Sequence, residues 1–145
     1  DYAFAQAPLG AHHVFNFFSP DYSSPGVISD NNLIAPELEI VTENFLTRTS
    51  NFLAYSTFWE HTEYEDENTK EKRILIDMSP LKPLADDTNE LLEHLNILLL
   101  GGTMSEEMRA ILTEAFDKTS DQEINDRLSN LLFLIMISPQ YTVQR

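Results

Sequence analysis

Apolar residues recur at helical spacing in the last third of the chain. Leu91, Leu92, Leu95, Leu98 and Leu99 follow Asp87 and Glu90, which are placed as a capping box. Gly101-Gly102 stops that helix, because glycine takes the left-handed conformation at little cost. Ser105 caps a second helix carrying Met108, Ile111, Leu112, Ala115 and Phe116. Ser120 with Glu123 predicts a further capping box. The helix after it carries Ile124, Leu128, Leu131, Leu132, Ile135 and Met136 and ends at Ser138-Pro139. The near-continuous apolarity of this last helix predicts a central position.

Upstream, Leu38, Val41, Phe45, Phe52, Tyr55 and Trp59 form a stripe that predicts a long helix from Pro36 to about Thr57 or Trp59. Glu37 and Glu39 suit its positive end. Residues 60–79 interrupt the pattern. Glu60, Glu63, Glu65, Asp66 and Glu67 precede Lys70, Lys72 and Arg73, which reads either as a short β-hairpin or as a disordered loop. Residues 1–34 are an irregular aromatic arm with turn chemistry at Asp21–Gly26 and Ser29–Asn32, where Pro20 and Pro25 argue against one continuous helix or central strand.

The expectation is one all-α domain over 1–145. It is a compact bundle of about four helices: the arm (1–34), a long helix (35–59), the acidic insert or hairpin (60–79) and a three-helix part (80–145). A chain of 145 residues buries roughly two-thirds of its unfolded surface, enough for a core without staples. The absence of cysteine excludes disulfides, thiolate zinc sites and a cysteine nucleophile. A net charge of −15 opposes nucleic acid and anionic membranes as partners. The longest apolar run, Leu131–Ile137, is far short of the roughly 20 residues a membrane span needs. Asp1-Tyr2 follows no charged start and no initiator Met, which reads as the internal start of a larger protein.

Several segments carry a family resemblance. They are Val14-Phe15-Asn16-Phe17-Phe18-Ser19-Pro20-Asp21-Tyr22, Pro25-Gly26, Ala35-Pro36-Glu37-Leu38-Glu39-Ile40 with Thr42-Glu43, and Asn51-Phe52-Leu53. Leu95-Asn96-Ile97-Leu98-Leu99-Leu100-Gly101-Gly102-Thr103-Met104-Ser105 and Ser138-Pro139-Gln140-Tyr141-Thr142-Val143-Gln144-Arg145 complete the set. In this order they resemble the C-terminal part of the bacterial family known as domain of unknown function 1800. The resemblance spans the chain except 60–73. It implies a longer, mostly helical, often exported parent protein, periplasmic or extracellular, with this segment at its C-terminal end and the upstream part as partner. It brings no activity and no catalytic residue. His12-His13 stands where a small residue is more usual, so these histidines are not a family signature.

Candidate chemistry is sparse. His12, His13 and Asp21 are of the type that ligates zinc or iron, but adjacent side chains on an extended segment point to opposite faces. Glu63, Glu65 and Asp66 could hold calcium, yet they lack the EF-hand spacing and central glycine, and a solvated acidic loop is the simpler reading. Glu39 and Glu43 would share one face of the long helix, though helix-start charge and solvation explain these acids more simply. His94 falls at the boundary of an amphipathic helix. Phe15, Phe17, Phe18 and Tyr22 are candidate partner-binding anchors, with burial against the bundle as the alternative. No Gly-x-Ser-x-Gly, His-Glu-x-x-His or phosphate-binding glycine loop occurs, and no motif implies a cofactor. The sequence supports two classes of role, a structural or interaction module and part of an enzyme whose active site lies upstream. A divalent-cation-binding module is a third.

Overall fold

The computed structural model describes residues 4–11, 14, 16–58 and 76–142. The chain is mostly α-helical, with no strand among the described residues. It divides into two compact units, Asp1–Phe52 and Leu53–Arg145. The acidic insert proposed as hairpin or loop falls largely on residues 59–75, outside the described residues.

In the first unit, α1 (Val27–Asp30) is a single helical turn entered through Gly26 at φ 99°, a conformation that favours glycine. A 3₁₀ turn follows at Pro36–Ile40, and α2 runs Glu43–Phe58, with its first ten residues in this unit. The helix expected to start at Pro36 therefore starts seven residues later. Val41 takes a non-helical ψ of 78°, which breaks the helical path after the 3₁₀ turn. Thr42 then restarts it: its hydroxyl accepts the Phe45 N–H at 3.3 Å and its carbonyl the Leu46 N–H at 2.9 Å.

The second unit holds the core. α3 (Thr88–Leu100), α4 (Glu106–Lys118) and α5 (Ile124–Met136) pack with the short α6 (Pro139–Thr142) and a 3₁₀ turn at Lys82–Asp86. Asp87 caps α3 as predicted, accepting from the N–H groups of Asn89 and Glu90. The reciprocal half of a capping box has no donor to use, because the Asp87 N–H already bonds Leu84 O at 3.2 Å. Leu91, Leu95, Leu112, Leu128, Leu131 and Ile135 are all but sealed from solvent. The buried arc of α3 runs through Leu91, Leu92, Leu95, Asn96 and Leu100, so Leu98, expected in the core, lies outside it at 64 % exposure. Ile111 likewise falls on the solvent side of α4. α5 packs on α4, α6 and the 3₁₀ turn, the central place its apolarity predicts.

Ser120 does not cap α5. Thr119–Gln122 closes a turn through Gln122 N–H to Thr119 O at 3.0 Å, and α5 opens at Ile124 with Glu123 before it. Arg127 ties the two helices instead. Its guanidinium lies 3.9 Å from the centre of the Phe116 ring and donates to Phe116 O at 3.3 Å, giving the last turn of α4 a cationic partner.

Candidate functional site

The aromatic arm is closed by three nested contacts. Outermost, the Glu39 carboxylate accepts both the backbone N–H and the hydroxyl of Ser19. Inside that, the Ala35 N–H bonds Tyr22 O at 2.9 Å. Innermost, the Ser23 hydroxyl donates to Leu33 O at 2.8 Å. Residues Tyr22–Ala35 thus form an Ω-loop, its ends held together and α1 inside it. Asn31 and Ser29 satisfy α1 locally, the Asn31 amide donating to Val27 O and the Ser29 hydroxyl to Gly26 O.

This scaffold presents apolar side chains to solvent. Val27 is 76 % exposed, Ile34 62 % and Leu33 54 %. Among the described residues of 4–52 none is buried, although Phe4 and Phe52 meet edge-on at 5.2 Å between ring centres.

Of the sequence-predicted residues, Phe17, Phe18 and Tyr22 are half-buried in the arm, and Asp21 is exposed. His12, His13, Phe15, Glu63, Glu65 and Asp66 lie outside the described residues. Among the described residues no group of three His, Asp or Glu side chains converges as a metal site would. Glu39 and Glu43 do not share a helix face: Glu39 sits on the 3₁₀ turn and holds Ser19, while Glu43 is the first residue of α2. His94 is exposed on α3.

The second unit carries an open groove of about 730 Å³ along α4, lined by Asn89, Arg109, Thr113, Glu114, Asp117 and Lys118 among others. Two ion pairs involve its lining residues. Arg109 meets Glu93 at 2.6 Å and Lys118 meets Glu114, and each contact holds the carboxyl below its ordinary range by hydrogen bonding and charge.

The residues sequence reasoning missed are those that join distant segments. Asn96, 5 % exposed, accepts the Met104 N–H on its side-chain oxygen at 2.9 Å and the Gly102 N–H on its carbonyl at 3.0 Å. A polar residue on the buried arc of α3 is the signal that could have found it.

Among the described residues no helix is long and apolar enough to cross a membrane. No curated protein and no solved structure matches the chain. The family model for proteins of unknown function DUF1800 matches residues 2–143, nearly the whole chain. The chain therefore belongs to the DUF1800 family.

Proposed function

We propose that this chain is a structural, protein-interaction module of a larger exported bacterial protein, and that its partner is the upstream part of that same protein. The observation that carries the reading is the contrast in burial. The second unit seals a core of its own around Leu91, Leu128 and Ile135, whereas the described part of the first unit has no fully buried residue and leaves Val27, Leu33 and Ile34 exposed. A partner that covered those residues would stabilise the complex by roughly 25 cal/mol per Å² of apolar surface removed from water. No Lys or Arg precedes Arg48, so this surface also repels nucleic acid. Export, to the periplasm or beyond, and the C-terminal position rest on the family resemblance alone.

The test is calorimetric titration of the upstream region of the parent protein with this chain. Saturable binding is expected, weakened at least tenfold by Val27→Asp combined with Leu33→Asp and unaltered by Leu98→Asp on α3. No association, or binding that the loop variant leaves intact, would overturn the reading.

A further inference from the structure

The start of α4 is capped by two residues, one of them from the other end of the unit. Ser105 accepts the Met108 N–H on its hydroxyl at 3.2 Å, the ordinary N-cap bond. A capping box would complete this with a Glu or Gln at position 108, reaching back to the Ser105 N–H. Position 108 is Met, and it is buried in the core, so nothing local can do so. Gln140 of α6 supplies the missing half. Its side-chain oxygen accepts the Ser105 N–H at 3.0 Å, and its amide donates to the Ser105 hydroxyl at 2.6 Å. The Ser105 hydroxyl thereby fills both acceptor positions, and the capping box is closed across 35 residues.

The turn that carries Gln140 is itself secured. Ser138 donates its hydroxyl to Ile135 O at 2.6 Å, ending α5, and accepts the Tyr141 N–H at 3.3 Å, opening α6. Tyr141 packs against the core beside it. We infer that the Ser138–Thr142 turn is a latch on α4, so that the first turn of α4 and the C-terminal turn open and close as one unit. Any partner that seats on the Ser138–Thr142 turn and displaces Gln140 then loosens α4 as well, by shifting the population of the unlatched form. The inference is independent of the interaction surface on the Ω-loop.

A double-mutant cycle on the whole chain tests it. Ser105→Ala and Gln140→Leu should each lower the folding constant about fivefold, and the double variant should cost clearly less than the product of the two, because either change alone already breaks the bond from the Gln140 amide to the Ser105 hydroxyl. Gln140→Glu, which keeps an acceptor for the Ser105 N–H at a helix N-terminus, should restore most of the loss. Amide exchange in Gln140→Leu should accelerate at Ser105 and Met108 while Leu92 and Leu131 hold their rates. Multiplying losses in the cycle, or unchanged exchange at Ser105, would overturn the latch.

Discussion

Glu39 receives both the backbone N–H and the hydroxyl of Ser19 on its carboxylate, joining residues that stand on either side of the Ω-loop. Ser19 lies in the Ser-Pro-Asp-Tyr segment and Glu39 in Ala-Pro-Glu-Leu-Glu, two of the stretches through which the chain resembles its family. Ser105 and Gln140 join two others in the same way. In each unit the described parts of these motifs meet as a hydrogen-bonded closure. Replacing Glu39 with Ala removes the outer closure of the loop, and bonds to a charged acceptor contribute about 1.5–3 kcal/mol each at most. Protease cleavage within residues 22–35 should become faster in Glu39→Ala, whereas Glu39→Gln, which still accepts from Ser19, should stay near the parent rate.

Asn96 fixes the turn between α3 and α4. Asn96→Leu would leave the N–H of the buried Met104 without an acceptor, at a cost of about 1–3 kcal/mol. The adjoining Gly102, at φ 82°, has open space where a Cβ would sit, so Gly102→Ala should cost only the backbone term of about 1 kcal/mol. Urea unfolding of both variants checks the order: a Gly102→Ala loss as large as that of Asn96→Leu would contradict it.

Ser129 is fully buried on α5, and its hydroxyl has no hydrogen-bond partner among the described residues. Ser129→Ala should therefore leave stability unchanged or raise it by about 0.5–1 kcal/mol, through lower desolvation and better helix propensity. Leu128→Ala beside it should cost about 2–5 kcal/mol, because Leu128 is fully buried and its loss leaves a cavity. Thermal melts of the pair measure both, and a clear loss on Ser129→Ala would show that the hydroxyl has a partner.

Arg127 clamps the end of α4 by stacking on Phe116 and bonding its carbonyl. Lys at this position keeps the charge and loses the planar stack, so Arg127→Lys should recover only part of what Arg127→Ala loses, about 1–2 kcal/mol. Equal losses in urea unfolding would mean that the charge contributes nothing.

Glu93 is held below its ordinary carboxyl range chiefly by the hydrogen bond from Arg109. Its folded pKa lies below the unfolded one, so its stabilisation is present above the unfolded value and is lost as pH falls through the folded value. The pair is exposed and the effect small. Wild type should lose slightly more stability on acidification than Glu93→Gln, read from urea midpoints across the carboxylate range. Parallel pH profiles would remove the pair from the account.

Much of the second unit is legible in the sequence because its signals are local. Asp87, Ser105 and Gly101-Gly102 act within a few residues, and the α5 stripe needs only its own periodicity. The starts of α2 and α5 are not legible, because Val41 and the Thr119–Gln122 turn override plausible start signals at Pro36 and Ser120. The candidate surface was half legible. Phe17, Phe18 and Tyr22 stand out as aromatics, but Val27, Leu33 and Ile34 are scattered through turn residues with no period, and their exposure follows only from the closed loop. Gln140 carries no local signal, because its partner is 35 residues away.

Native-state amide exchange on the whole chain tests the central claim, that the second unit is complete in itself while the first awaits a partner. Amides of Leu95, Phe116 and Leu132 should exchange only through global unfolding, and those of Ser29, Leu33 and Ala35 orders of magnitude faster through local opening. Equal protection in the two units would mean that the first unit already has a core of its own, and would contradict the account.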